Sequence, residues 1–563
     1  MLSRLSQFIL RFKWYLLVIA LTIPTFTSLL RPGYFPMHDD ISVLRVYQME
    51  LCFKSFQIPC RWVPDMGYQY GYPQFEYYGP LPYYIMTAAR LFQLPLFDSI
   101  KLGFILPLIL GNLTMFLLAS SLFGNFGGLL SALAYAYAPF RASDLYSRGA
   151  MGESWAFIFL PLILFALLSL YKKPTLKKSA LLGISFAFLF VTHNISTLIF
   201  TPMIAAIALV LLFLSREKIK FVKYGFIGMI WAVLISASFF LPVILEKGFA
   251  HTESLLSGYF NYLAHFVSLK QLFLTTFWGY GSSEIGPIDD LSFFLGPIQL
   301  FLFTISVSIA FLSYVKGRSR LPALIVLLSA LFVLSSVFMS HEKSTFIWKI
   351  IPVLAYLQFP WRFLITANFF LCLSAGYFLL TINKAAARWL LIIFACLVIF
   401  FNLSYFRPRE WFRLTIWEKF SGLSWDRQLT TSIFDYLPIY AKFPPATGAS
   451  TLPYSENGAV SILDYRHQSS AISFSTKSMA DAKLTLPQFD FPGWRVKLDG
   501  KIIVHNHNND LGLINFEIPQ GTHKVAAVLT GTPVRNIADF LSLIFIPLAL
   551  TVLVKKENKN EKI

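Results

Sequence analysis

The sequence predicts a polytopic α-helical membrane protein of about twelve spans with a C-terminal extracytoplasmic β-sandwich domain. Three observations lead there. First, 56% of the 563 residues are hydrophobic and 13% charged, with a mean hydropathy of +0.61; ordinary soluble domains carry about a quarter charged residues. Second, apolar runs of span length recur from Trp14 onward. Third, between Phe406 and Asn536 these runs give way to short alternating stretches bounded by turn residues.

A bilayer core of about 30 Å needs roughly 20 apolar residues per helix. On that ruler the spans fall near 14–30, 100–122, 126–140, 154–171, 179–192, 195–214, 221–245, 291–314, 321–339, 361–381, 386–405 and 537–554. The third and fifth are short. Arg4, Arg11 and Lys13 precede the first run. Its length, and the lack of a small-residue cleavage site after it, favour an uncleaved span over a signal peptide.

The net charge of +18 does not indicate a nucleic-acid partner, because that reading needs a basic face on a soluble fold. Here the cations lie between apolar runs and set topology. With a cytoplasmic N-terminus, the basic loops at 172–178, 215–220, 316–320 and 384–388 and the tail from Lys555 all fall inside, as the positive-inside bias requires. Both termini are then cytoplasmic, in a multi-pass cell-membrane protein whose long aromatic loops are extracytoplasmic. Three parts result. Residues 1–405 form the transmembrane module, with a large first outer loop at 31–99 and a re-entrant outer segment at 343–361. Residues 406–536 are β-rich, and 537–563 hold the last span and a basic tail.

The chemistry centres on Pro36-Met37-His38-Asp39-Asp40, where two carboxylates and an imidazole follow the first span. Asp39 and Asp40 are the candidate catalytic acids, with His38 beside them. A bland alternative is that the pair caps the helix starting near Ile41. From Ile41 to Phe56 polar residues recur at helical spacing, which predicts an amphipathic helix on the membrane surface. Tyr77 and Tyr78 close an aromatic loop whose ring faces suit sugars, or which serves as an interfacial aromatic belt. Cys52 and Cys60 share a compartment that permits a disulfide, though their spacing fixes no geometry.

Further candidates follow. Arg141, Asp144, Arg148 and Glu153 are crowded against the outer membrane face, where charges must pair or bind something, and the arginine fork matches phosphate oxygens. Lys349 and Arg362, from the re-entrant region, are further candidate phosphate ligands. His193 and Asn194 sit at a predicted outer helix end. The second acidic pair, Asp289-Asp290, is a rival centre, read as a turn and cap for a helix near Leu291. The sequence shows no motif that requires a cofactor, and a divalent ion is compatible with the acidic pair.

The pattern of His38-Asp39-Asp40, Arg141 to Glu153, Thr192-His193-Asn194 and Gln358-Phe359-Pro360-Trp361-Arg362 resembles bacterial membrane proteins described as containing a 6-pyruvoyl-tetrahydropterin synthase-related domain. Asp435-Tyr436-Leu437-Pro438, Phe491-Pro492-Gly493-Trp494 and Thr532-Pro533-Val534-Arg535 extend the likeness over nearly the whole chain. That architecture is similar to the GT-C glycosyltransferases and to YfhO-like proteins. The resemblance implies an acidic residue acting in the first outer loop, Asp39 or Asp40, and a polyprenyl-phosphate sugar as donor. The expected function is inverting transfer of that sugar to a glycan, lipid or protein acceptor outside the cell. Two other classes stand beside it: a non-catalytic envelope protein for glycan binding or assembly, and a lipid or saccharide transporter. A transporter would place its ionisable groups near the bilayer midplane.

Overall fold

The computed structural model describes residues 2–285, 289–455, 458 and 460–555. The basic tail after Lys555 and the pair Gly286-Pro287 lie outside the described residues. Ten of the described helices are long and apolar enough to cross a membrane, so this is a multi-pass membrane protein. Two details bring that number to the twelve expected legs. The 41-residue helix Leu96–Ala136 breaks at Gly124, where φ 74° and ψ 175° fall in a region essentially reserved for glycine, and it therefore makes two legs. Leu176–Phe190 has 15 residues, or ~22 Å at 1.5 Å per residue. It is short of a bilayer, yet it packs between Met151–Lys172, Lys218–Leu245 and the last helix, Pro533–Val554.

Prolines inside these helices have visible consequences. Pro107 lacks the N–H that would bond the carbonyl of Gly103, and the Trp155 indole N–H takes that carbonyl at 2.7 Å. Inside the bundle the helices meet through aromatic edges, as between Phe200 and Phe369, whose ring centres are 5.5 Å apart.

The first loop is a folded unit. Ser42–Lys54 is helical as expected, but it does not lie on a membrane surface. Val43, Leu44 and Met49 are fully buried, and so are the polar Gln48 and, nearly, Arg45. Its polar face is satisfied by protein: the Gln48 amide donates to Asp65 at 2.7 Å and accepts the Asp65 N–H at 3.1 Å. Cys52 and Cys60 are joined by a disulfide.

The C-terminal region becomes β-structure from Tyr454. A five-stranded antiparallel sheet runs in the order Val460–Gln468, Ala471–Ser478, Gly521–Leu529, Trp494–Leu498, Lys501–Ile503. A three-stranded sheet, ordered Tyr454–Ser455, Ala482–Phe489, Leu513–Ile518, faces it. Phe474 and Val496 from one sheet and Leu484 and Phe516 from the other share one core, which makes a sandwich. The Asp499-Gly500 turn has φ 48° and 84°, the double left-handed geometry that such a dipeptide favours in a hairpin.

The first loop enters that core too. Trp62 packs 5.3 Å from Phe491, centre to centre, and Gln488 donates to the Tyr70 carbonyl at 2.7 Å. Below the sandwich, a buried ion network joins four parts of the chain. Arg61 contacts Glu76 at 3.0 Å and Asp539 at 2.6 Å, while Arg535 contacts Glu76 at 2.8 Å and Glu246 at 2.7 Å. The loop, two helix ends and the β-region, through the Pro492 carbonyl at 2.9 Å from Arg535, are thereby held in one register.

Candidate functional site

A cavity of about 830 Å3 opens at the end of the bundle that carries the first loop. It is assembled by short-range constraints. The amides of His38 and Asp39 donate to the carbonyls of Ser147 and Arg148 at 2.9 and 2.7 Å, which sews the first loop onto the turn after the third leg. Gly79 then lets the loop settle on the turn at 191–193: a Cβ there would lie 2.1 Å from the Thr192 carbonyl oxygen. The Leu81 amide bonds to the Val191 carbonyl at 3.1 Å, and Tyr77 and Tyr78 face the cavity as a result.

Nine of the thirteen sequence candidates line this cavity: His38, Asp39, Tyr77, Tyr78, Arg148 and Glu153, together with His193, Asn194 and Arg362. Asp39 carries no side-chain hydrogen bond or ion pair among the described residues, and neither acid caps the following helix, whose N-cap is Ile41. Arg148 binds Glu153 at 2.7 Å and also Asp144, and lies over the Trp361 ring at 4.4 Å. Arg362 is steadied by the Leu357 carbonyl at 2.8 Å and the Gln358 side chain at 2.9 Å, on a segment where Gln358 sits at φ 63°. That is a costly conformation for a non-glycine residue. The Arg362 Nε–H has no partner among the described residues.

His193 caps the helix Asn194–Leu214. Its Nδ1 accepts the Ser196 amide at 3.3 Å, so the ring proton must sit on Nε2. Burial pushes its pKa down to about 4, with Arg362 and Arg148 also lowering it and Glu153 opposing. The ring is thus neutral near pH 7. Asn194 donates to the Tyr77 carbonyl at 3.2 Å.

Four candidates lie elsewhere. Asp40 turns away from Asp39, bound by Lys419 at 2.6 Å and by the Tyr34 hydroxyl at 3.2 Å; burial raises its pKa, and Lys419 opposes this. Asp144 is buried behind Arg148, with Ser154 donating to it at 3.2 Å. Arg141 is buried in the bundle and donates to Asn112 at 2.6 Å, the Tyr135 carbonyl at 3.1 Å and the Pro107 carbonyl at 3.0 Å. It ties the turn after the third leg to the helix Leu96–Ala136, and its two terminal nitrogens are both engaged. Lys349 is exposed: Trp348 packs inward, and the next helical residue points about 100° away.

The second acidic pair organises its own loop. Asp289 accepts from Gln271 at 2.6 Å and from the Glu284 amide at 3.0 Å, and the helix beyond starts at Pro297 rather than near Leu291. Among the described residues no group of three or more His, Cys, Asp or Glu converges as metal ligands do.

The cavity also holds residues that the sequence reading did not single out as site residues. Arg45 is buried, stacks on Tyr78 with its guanidinium carbon 3.9 Å from the ring centre, and has an unpartnered Nε–H. Lys247, Thr431, Ser432 and Phe434 to Tyr436 complete the wall. The helical spacing of Arg45 and the Asp435-Tyr436-Leu437-Pro438 motif were the available signals. The membrane-side wall is apolar, with Ile195 and Leu198 from one span and Val243 from the next.

No family model matches the chain. A curated relative, an uncharacterised protein from Lactococcus lactis subsp. cremoris (strain MG1363), is 23% identical over 365 residues, covering 62% of this chain and 55% of its own length. The chain thus spans about half of that relative. Among solved structures, the arabinofuranosyltransferase AftD from Mycobacteria aligns with a TM-score of 0.48 at 13% identity, over 72% of this chain and 28% of AftD. ArnT from Cupriavidus metallidurans, bound to undecaprenyl phosphate, aligns with a TM-score of 0.41 at 14% identity, over 69% of this chain and 63% of ArnT.

Proposed function

We propose that the protein is a membrane glycosyltransferase of the GT-C type, moving a sugar from a polyprenyl-phosphate donor to an acceptor on the extracytoplasmic side. One observation carries this. An unpaired carboxylate, Asp39, shares a single cavity with three guanidinium groups, of which Arg45 and Arg362 keep an unpartnered Nε–H, beneath an apolar wall supplied by two spans. Such a site suits a donor that is apolar at one end and anionic at the other. The motif resemblance noted in the sequence points the same way.

In this reading the acceptor hydroxyl oxygen attacks the anomeric carbon and its proton passes to Asp39 as general base. The bond to the phosphate oxygen breaks, and the electron pair leaves on the lipid phosphate, whose growing charge Arg362 and Arg45 stabilise. A single displacement of this kind inverts the anomeric configuration. His193, neutral with its proton on Nε2, supplies a hydrogen-bond donor without adding charge.

The test is transfer from a panel of radiolabelled polyprenyl-phosphate sugars by purified protein in lipid, with wild type beside Asp39→Asn. Transfer by wild type alone supports the assignment. Equal transfer by both removes Asp39 as the base, and no transfer by either folded protein removes the transferase reading.

A further inference from the structure

The cavity wall contributed by the C-terminal region is held with unusual care. The Tyr72 hydroxyl is buried under residues 432–436, where it donates to the Ser432 carbonyl at 2.6 Å and accepts the Tyr436 N–H at 2.6 Å. Ser432 itself has φ 62°, a left-handed conformation that costs a non-glycine residue on the order of 1–3 kcal/mol. Immediately after the turn, Leu437 pairs with His251 in a two-residue antiparallel ladder. A strained turn pinned from both sides presents its side chains in one arrangement.

What it presents is Phe434, Asp435 and Tyr436, all on the cavity. Phe434 is 57% exposed, an aromatic face left open at the mouth. The Tyr436 ring lies 5.4 Å from that of Tyr77, which extends the aromatic surface onto the first loop. Between the two aromatics, the Asp435 carboxylate makes no ion pair with any described residue. Its pKa is pushed up to about 6 by burial, with the Ser432 hydroxyl and Arg45 opposing and Asp39 adding to the rise.

A carboxylate flanked in sequence by the open ring of Phe434 and the half-buried ring of Tyr436 matches one ligand chemistry well. The C–H face of a sugar ring stacks on the aromatics, while neighbouring hydroxyls donate to the two carboxylate oxygens, which only accept. A purely apolar ligand would desolvate Asp435 further and offer its carboxylate no donor beyond the Ser432 hydroxyl, which is costly. Of the cations that suit a phosphate, Arg362 belongs to another wall, and Arg45, which opposes the rise in the Asp435 pKa, is stacked on Tyr78 of the first loop.

We propose that Phe434, Asp435 and Tyr436 form a carbohydrate subsite through which the C-terminal region binds the acceptor, so that the acceptor is a glycan. The proposal rests on the transferase reading for the word acceptor; the sugar-binding site itself does not. Asp435 holds two ring hydroxyls and leaves a third directed toward Asp39, making Asp435 a positioning residue and the C-terminal region part of the active site.

The experiment uses the full chain in lipid nanodiscs and two readouts. Binding of short gluco-, galacto-, manno- and rhamno-oligosaccharides is followed by saturation-transfer NMR for wild type, Asp435→Asn, Asp435→Glu and Phe434→Ala, with thermal unfolding as the check on folding. At least one oligosaccharide should bind wild type, with affinity falling tenfold or more in Asp435→Asn and Phe434→Ala and partly restored in Asp435→Glu. In transfer assays with that oligosaccharide, Asp435→Asn should raise acceptor KM tenfold or more and leave donor KM unchanged. No binding of any oligosaccharide to wild type, or equal binding by wild type and Asp435→Asn, overturns the subsite. Oligosaccharide bound through Asp435 with no transfer from any polyprenyl-phosphate sugar would support the subsite while overturning the transferase reading.

Discussion

The Lys419 ammonium lies 2.6 Å from the Asp40 carboxylate, and this contact separates two acids that are neighbours in sequence. Asp39 is left facing the cavity, whereas Asp40 ties the first loop to the segment that leads into the β-region. The pair therefore divides into one acid that lines the cavity and one that is tied into the fold. Asp40→Asn should lower stability by about 1–2 kcal/mol, because the largely buried Lys419 loses its counter-ion while the partly exposed carboxylate side limits the loss. Transfer by the surviving folded protein should stay within about threefold of wild type. Asp39→Asn should do the reverse, with an unchanged unfolding midpoint and transfer reduced by at least about 10²-fold, within the range for loss of a general base. Thermal unfolding and transfer on the same preparations check both halves.

The ion network around Glu76 gives a pH prediction with a definite sign. Burial raises the Glu76 pKa from 4.5 to about 7, with Arg535 and Arg61 pulling it back and Glu246 adding to the rise. The folded chain therefore binds this proton more tightly than the unfolded chain. Linkage then makes the contribution of Glu76 to stability full below about pH 4.5 and progressively lost as pH rises through about 7, by up to about 1.4 kcal/mol per pH unit. Glu76→Gln should flatten the unfolding midpoint between pH 5 and pH 8. A wild-type midpoint that rises over that interval would have the wrong sign for this account.

The legible parts of the sequence were those written in local pattern. Span positions follow from apolar run length, and the Asp499-Gly500 hairpin follows from turn chemistry, so both could be read one segment at a time. The partners of polar side chains could not. Arg45 and Gln48 on one helix face read as a surface, since nothing in residues 41–56 announces that Tyr78, Tyr83 and Asp65 will cover it. Asp40 and Lys419 are 379 residues apart, and only the folded chain brings them together. Asp435 was visible only as part of a motif, because its place on the cavity depends on Tyr72, again from a distant segment.

Arg141 illustrates the same limit in a form that can be measured. A cation beside the membrane face reads as a phosphate ligand, but its guanidinium is filled by Asn112 and two carbonyls. Arg141→Ala should cost about 3 kcal/mol or more, since each buried acceptor left without its donor costs about 1–3 kcal/mol. Donor KM in the folded fraction should not move. A raised donor KM at unchanged stability would return Arg141 to the site.

Arg362 carries the opposite expectation. It is half-buried and incompletely satisfied: a carbonyl and the Gln358 side chain hold one nitrogen, and the buried Nε–H has no partner among the described residues. An unmet buried donor is unfavourable in the empty site, and that cost is recovered when an anionic oxygen arrives. Lysine at this position would keep the charge but lose the fork, and it would also release the contacts that hold Gln358 in its strained backbone conformation. Arg362→Lys should therefore reduce kcat/KM for the polyprenyl-phosphate donor by about 10²-fold and leave acceptor KM near its wild-type value. Arg45→Lys should show the same split in smaller measure, because stacking on Tyr78 and not only charge fixes its direction. Donor and acceptor kinetics measured side by side decide the matter: an equal rise in both KM values would mean that these arginines shape the cavity as a whole and do not face the donor phosphate.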